Sequence, residues 1–552
     1  MPSEKKYVYF DLESDGLKPS VIWCVACKYK NTTTVITNAT DLIAYKASIP
    51  EATWVGHNVI GYDIPVLDRL WGVVFDPEYV LDTLTLSRLA DPSRSGGHSL
   101  RNWGNTLGFP KGDHNDWSQL TPQMIDYCMR DVAVTEAVHK RLQQELEGFS
   151  DLSIDLEHKV AWVIAEQERN GWLLNFRYAS TLLAEMLQRQ KEIENELQEV
   201  FPPIVEERFS DKTGKRLKDK VTVFNPGSRQ QVAERLTEKG AVWNSVTETG
   251  KPKVDEKTLS ENSSIPEAVL VLEYLTLQKR SAMVQSWIDH ADQDTDRVHG
   301  RVNPCGAVTG RMTHMSPNMA QITARGLYGA ESRSCWIVPK GKKLVGFDAS
   351  GLELRMLAHY MDDEEYTNEI LTGDIHTANQ IAAGLEERSQ AKTFIYAFLY
   401  GAGDAKIGSI VGGSSRDGHA LKQRFLSNTP SLASLRERVG RAVGKGYLVG
   451  LDGRKLWVRS EHSALNTLLQ AAGAIIMKKA LVLLDDYATQ HKINYKFIGN
   501  VHDEIQSEVA TEQAEKYGWL AVECIKAAGI SFELRCPLDG EYQIGSTWAE
   551  TH

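Results

Sequence analysis

Three short segments in the second half of this 552-residue chain carry residue types suited to one kind of chemistry. In LVGFDASGLE, apolar Leu344–Phe347 reads as a buried strand that delivers Asp348 at its C-terminal end. Ser350-Gly351 then turns the chain into a helix starting near Leu352. In YKFIGNVHDEIQSEV, two strand-like halves flank His502-Asp503, a hairpin pattern with Asp503 at the tip and Glu504 after it. Between these segments Arg388, Lys392, Tyr396 and Tyr400 recur every fourth residue. Each such step drifts about 40° around a helix of about 3.6 residues per turn, so the four form one stripe. If the two strands are neighbours, Asp348 and Asp503 can bridge two Mg²⁺ ions about 3.5–4 Å apart. Arg388, by its fork, and Lys392, as a point charge, suit the β- and γ-phosphates of a triphosphate. Tyr396 would pack beside an incoming base and sugar, and Tyr400 would stack on a template base. These are the parts of a nucleotidyl transferase.

A second acidic set lies near the N-terminus. Asp11 and Glu13, two apart on a predicted strand, point to one face. Asp63 follows in GHNVIGYD, and Tyr127 and Asp131 sit four apart on a predicted helix. Four carboxylates and a tyrosine can hold two metal ions and orient an attacking water, which is the equipment for removing nucleotides. Each piece also has an ordinary explanation: a strand-end Asp is often a turn residue, and an Arg/Lys stripe is often a solvated helix face.

The elements that must position these residues follow from periodicity. Residues 5–150 alternate strands (6–12, 21–28, 53–58) with helices (64–71, 121–145), an α/β unit. The pattern breaks at 147–155. Long helices follow at 182–200 and 266–290, the second with Pro266 in its first turn. Residues 201–221 read as a loop that holds a hairpin-like stretch, DKTGKRLKDK (211–220), and Ser228 as the cap of a helix near Arg229. A mostly helical block joins the two strand-rich segments. A chain of this length holds two or more domains.

Hydrophobic content of 42% and charged content of 24% are ordinary for a globular protein. No signal peptide is visible, and no uninterrupted apolar run approaches the roughly 18 residues of a membrane span. Cys24 and Cys27 form a C-x-x-C without a second pair; VIWCVACKY reads as a strand filled with small apolar side chains. The net charge of −11 does not exclude a nucleic-acid partner, which needs a local basic groove and not a basic total.

The strings DASGLELR (348–355), GDIHTANQIAA (373–383), AKTFIYAFLYGAG (391–403), LDGRK (451–455), LNTLLQAAGA (465–474) and VHDEIQ (501–506) resemble the family A (DNA polymerase I-like) DNA polymerases. The resemblance is strongest to the replicative enzymes of short-tailed T-odd bacteriophages. It implies a right-hand α+β polymerase domain over 151–552. Its palm would take about 151–180, 296–360 and 480–552, its thumb about 180–295 and its fingers about 361–480. The N-terminal set resembles an RNase H-like 3′–5′ exonuclease domain of the DEDDy class over 1–150.

The resemblance assigns further roles. Glu353 with Tyr396 would form the gate against a ribose 2′-hydroxyl, and His376 would contact nucleotide phosphates. Arg311, Asn466 and Gln470 would probe the duplex minor groove, whose acceptors are common to every base pair. His502 would contact the primer terminus. Glu504 would support the metal site, by ligation or by a structural role. The metal set would be Asp348, Asp503 and Ala349 (through its main-chain carbonyl) in one site, and Asp11, Glu13 and Asp131 in the other. Two Mg²⁺ per site are expected, with Mn²⁺ as a substitute.

The expected activity is template-directed DNA synthesis with proofreading, replicating a phage genome in the cytoplasm of the infected bacterium. The expected partners are primer-template DNA, dNTPs, a phage helicase-primase and a single-strand binding protein, with the chain itself monomeric and no membrane involved. Thioredoxin is not expected, because the phage relatives' long clamp-binding insertion is represented here only by residues 201–222. Its basic cluster, Lys212–Lys220, is a candidate for duplex phosphates or a solvated loop. No 5′-nuclease segment is expected, and Thr323 replaces the proline usual after Gln-Ile. A single-subunit RNA polymerase, a catalytically dead scaffold and a nuclease acting alone are the alternatives.

Overall fold

The computed structural model describes residues 5–501 and 503–551. The N-terminal α/β unit forms as predicted. Strands Tyr7–Ser14, Ile22–Tyr29, Thr32–Ile36, Thr53–Gly56 and Val80–Asp82 make one sheet in the spatial order third, second, first, fourth, fifth. The first three form an antiparallel meander, and the last two run parallel to the first. The first strand is covered on both sides: Val8, Phe10 and Leu12 enter one cluster, and Tyr9 enters another on the face that also carries Asp11 and Glu13. Thr32–Ile36 and helix Ala39–Ser48 were not anticipated; TTTVI is too polar to stand out. Cys24 and Cys27, three apart on one strand, point to opposite faces, are fully buried and are free thiols. They cannot share a metal or a disulfide.

Helix Pro122–Glu145 packs on the first strand. Thr121 caps it by accepting from the Met124 N–H, and Pro122 occupies its first turn. Helix Asp151–Asn170 then forms a wall shared by two cores. Ala161, Trp162 and Ala165 face the N-terminal cluster, while Leu156, Val160, Val163 and Ile164 belong to the large C-terminal one. His158 ties the wall to the N-terminal sheet. Its Nδ1–H donates to Ile154 O, and its Nε2 accepts from the Asp82 N–H.

Beyond the wall, long helices Phe176–Val200 and Pro266–His290 pack together. The hairpin-like stretch expected within 201–221 extends further, into an antiparallel two-stranded ribbon of Ile204–Phe209 with Arg216–Thr222. Nearly all of its side chains are exposed. Both faces meet water, so no burial pattern marks it in the sequence.

The C-terminal half is organised around a four-stranded antiparallel sheet in the order Tyr495–Val501, Glu504–Ala510, Lys342–Ala349, Gly540–Gly545. Helix Ala514–Ser531 covers it, and helix Glu461–Gln490 runs through the largest cluster. Among the described residues, Glu461–Gln490 is the one helix long and apolar enough to cross a membrane by length and composition, with a window hydropathy of 1.6. Counting uninterrupted apolar runs had missed it. In this fold 78% of that window is buried in protein, as an all-round apolar core helix should be.

A buried charge network fastens this helix to the wall. Glu157, Asp452, Arg454 and Lys478 are each no more than 2% exposed. Glu157 Oε1 accepts from Arg454 Nη1 and from Lys478 Nζ, both at 2.5 Å, and Arg454 also forks onto Asp452. Burial alone would push the Glu157 carboxyl up; Lys478 and Arg454 reverse this and hold it below its ordinary value. Two anions offset two cations, so removing one leaves an uncompensated buried charge. Glu157→Gln should destabilise the protein by about 3–5 kcal/mol, read as a lowered midpoint in thermal denaturation. A midpoint equal to the parent's would show the network to be dispensable.

Candidate active sites

The central sheet brings together what 155 residues of sequence separate. Strand Lys342–Ala349 pairs antiparallel with Glu504–Ala510 in the register Asp348 opposite Glu504, and with Gly540–Gly545 in the register Ala349 opposite Gly540. The neighbouring hairpin pairs Val501 with Glu504, and Asp503 lies in the turn at its tip. Asp348 and Asp503 therefore sit at one end of the sheet on adjoining strands. Gly351, at φ 59°, makes the left-handed turn that lets helix Leu352–Met361 start directly after the Asp348 strand. His502 lies outside the described residues.

Glu504 is placed differently from its neighbour. It is 4% exposed; its Oε1 accepts from Trp548 Nε1 and Gln506 Nε2, and its Oε2 lies 3.6 Å from Arg333 Nη1. Arg333 in turn stacks over the Trp548 ring at 4.3 Å. Sequence reading did not find Trp548 or Arg333, which carry no local motif.

The cationic stripe forms on helix Arg388–Leu399 as expected, with Arg388 and Lys392 exposed and Tyr396 half-buried. Arg388 is forked onto Asp374 through contacts of 2.6 and 3.0 Å. The bond to Arg388, with help from Thr377, holds the Asp374 carboxyl below the usual range. Asp374 also caps helix Ile375–Ala383, which carries His376. The His376 ring lies 6.4 Å from that of Tyr396, and its buried Nδ1 has no hydrogen-bond partner. Burial first, and then the Arg388 and Lys392 charges, lower its pKa.

The structure pairs Glu353 with Tyr400, one helical turn beyond Tyr396. The Tyr400 hydroxyl lies 2.8 and 2.7 Å from the two Glu353 oxygens, and Arg311 Nη2 lies 3.4 Å from one of them. The two tyrosine rings are 6.4 Å apart and only 30° from parallel, so the one a turn further along reaches the carboxylate. Asn466 and Gln470 are half-buried and lie one turn apart on helix Glu461–Gln490.

The N-terminal set converges in an open cleft of about 550 Å³ lined by Asp11, Glu13, Asp63, Tyr127 and Asp131. Asp63 opens its helix and accepts from the Leu12 N–H at 3.1 Å. Ligand atoms of Asp11, Glu13 and Cys128 lie within 4.8 Å of one another. The Cys128 thiol is a soft donor, ill matched to a hard cation. Asp131 lines the same cleft and offers a harder oxygen donor, its buried Oδ1 being without a hydrogen-bond partner. Burial, reinforced by neighbouring carboxylates, pushes Asp11 well up and Glu13 up to about 8. Burial lifts Asp63 to about 7 and Asp131 to about 6, the latter against the pull of Lys111. Such a crowd of oxygens fits divalent metal, whose charge removes the penalty of ionising them together. Lys111, 2.5 Å from Asp131 Oδ2, was missed because it comes from an irregular loop.

Known proteins resemble this chain in sequence and in fold. The family model described as DNA polymerase family A matches residues 189–550. The DNA-directed DNA polymerase of Escherichia phage T7 is 34% identical, over 98% of this chain and 99% of that protein. The corresponding protein of Enterobacteria phage T3 is also 34% identical, over 90% and 92%. The fold is similar to a solved POL domain of Pol1 from M. smegmatis in complex with DNA primer-template and dNTP. The TM-score is 0.82 at 18% identity, covering 100% of this chain and 97% of that one. The chain belongs to DNA polymerase family A.

Proposed function

We propose that this chain is a template-directed DNA polymerase that extends a primer with dNTPs and proofreads through a 3′–5′ exonuclease site near its N-terminus. The observation that carries the first half is the pairing register that sets Asp348 beside the Asp503 hairpin. Residues 1–150 would be the exonuclease domain. In the rest, the four-stranded sheet would serve as palm, the helices around Arg388 as fingers, and the paired long helices with their ribbon as thumb. Replication of a phage genome inside the infected bacterium, beside helicase-primase and single-strand binding proteins, fits the phage relatives.

Bound at Asp348, Asp503 and the Ala349 carbonyl, or at Asp11, Glu13 and Asp131, Mg²⁺ would activate the attacking oxygen and neutralise charge on the reacting phosphate. The protein's own groups do the rest. Arg388 and Lys392 face outward where a triphosphate would arrive. The Asp374–Arg388 pair is exposed and so costs little to exchange for a polyanion. His376, held largely neutral, has a ring nitrogen ready to bond a phosphate oxygen. Tyr400 engages Glu353 in this structure, and Glu353 with Tyr396 would form the sugar gate. Glu504, locked by Trp548 and Gln506, would stiffen the sheet end and not ligate metal directly.

Primer extension on a template with a 3′-mismatched primer tests both halves. Asp348→Asn should abolish extension and leave mismatch removal, whereas Asp11→Ala should do the reverse, each loss being about 10³-fold or more. Extension by the Asp348→Asn protein at the parent rate would exclude the proposed polymerase site.

The gate has its own test. Glu353→Ala should raise ribonucleotide incorporation by at least about tenfold, as expected when a clash worth roughly 1.4 kcal/mol or more is removed. Tyr396 should permit ready use of dideoxynucleotides, and Tyr396→Phe should alter that use in a termination ladder. A parent chain that already accepts ribonucleotides as well as deoxynucleotides would favour the RNA polymerase alternative.

A further inference from the structure

Lys111 enters the acidic cleft from the irregular segment between Thr106 and Thr121, and that segment is fastened down on both sides. Arg130 Nε donates to Pro110 O at 2.7 Å and its guanidinium lies over the Phe109 ring. Trp23 Nε1 donates to Trp117 O at 3.0 Å, and Trp117 meets Tyr127 edge-on. The Lys111 side chain is thus aimed. Its Nζ lies 2.5 Å from Asp131 Oδ2 and 4.8 Å from the centre of the Tyr127 ring. Among the described residues it makes the one ion pair seen to any of Asp11, Glu13, Asp63 and Asp131. Asp131 therefore has one oxygen on a lysine and the other, Oδ1, buried without a partner.

A metal ion bonded to Asp131 would sit about 2.1 Å from its oxygens. The ammonium stands at Oδ2 of that carboxylate and Oδ1 is the oxygen left for metal, so the two cations meet across one carboxylate and repel each other. Once displaced, Nζ cannot go far, because its loop is pinned beside Tyr127 on the floor of the cleft where a DNA 3′ end would lie. We propose that Lys111 is a resident counter-ion of the acidic cluster, which yields Asp131 to divalent metal and then binds the phosphodiester being cleaved. The proposal rests on reading the cluster as the exonuclease site. In that reaction water adds to phosphorus and the P–O3′ bond breaks, releasing a nucleoside 5′-monophosphate and a new 3′-hydroxyl. Lys111 keeps its proton throughout and stabilises charge on the non-bridging oxygens.

The test uses the full chain as parent, Lys111→Met, Lys111→Arg and Asp11→Ala. Mn²⁺ binding without DNA is followed by the electron paramagnetic resonance of the free ion, and the component lost in Asp11→Ala reports this cluster. Lys111→Met should bind Mn²⁺ at that component about fivefold to tenfold tighter, since a repelling charge is gone. At saturating metal it should nevertheless excise single-stranded 3′ ends about 10²-fold more slowly, the usual cost of losing one charge-stabilising donor. Lys111→Arg should recover part of that rate. Unchanged or weaker Mn²⁺ binding in a folded Lys111→Met protein overturns the counter-ion role. Excision within twofold of the parent overturns the phosphate role. If Asp11→Ala itself neither loses Mn²⁺ nor slows excision, the exonuclease reading fails, independently of Lys111.

Discussion

The register of one strand against its neighbours governs the polymerase half of the molecule. Side chains alternate across a sheet, so a slip of one residue between Lys342–Ala349 and Glu504–Ala510 would turn Asp348 to the opposite face. The register is fixed from several sides. Val345 and Phe347 must enter the large cluster, and Leu344 must enter the cluster of the paired long helices. The hairpin pairs Val501 with Glu504 at its tip, and Glu504 is gripped by Trp548, Gln506 and Arg333. An acidic residue buried to this degree is expensive to misplace, so Glu504 also enforces the alignment of Asp348 and Asp503 beside it.

Charge is handled in three ways in the chain. The Glu157–Arg454–Lys478–Asp452 network is closed and balanced, and it fixes geometry. The Asp374–Arg388 pair is exposed and exchangeable, as a binding cation should be. The Asp11–Glu13–Asp63–Asp131 cluster is unbalanced, with carboxyls forced above their ordinary values. Imbalance of this kind does not help the fold, and its persistence is a mark of function.

Much of the site was legible because its carriers are regular. An apolar strand ending in Asp348, a hairpin tip at Asp503, a four-residue stripe from Arg388 and a helical Tyr127–Asp131 pair all follow from periodicity alone. What sequence could not give was contact between distant segments. Nothing in VHDEIQ announces that Glu504 faces Trp548, and nothing in PKGDH says that Lys111 reaches Asp131. The Tyr400 hydroxyl that Glu353 meets lies one helical turn beyond Tyr396, a contact settled by side-chain reach and not by pattern. The exposed ribbon at 204–222 lacked the alternation that burial imposes, and the core helix at 461–490 was obscured by two lysines and two aspartates among its apolar residues.

Helix Asp151–Asn170 has a consequence for how the chain can be divided. It gives one face to the N-terminal sheet and the other to the polymerase core, and Ser150, its cap, also donates to Asp452 O. A C-terminal fragment made by cutting after residue 150 would leave Ala161, Trp162 and Ala165 bare and strip the helix of its cap. Trp457 and Lys455 would lose their acceptors at Ala90 O and Glu147 O. The two halves behave less like beads on a string than like rooms sharing a structural wall. A point substitution in either half keeps that wall intact, whereas truncation does not.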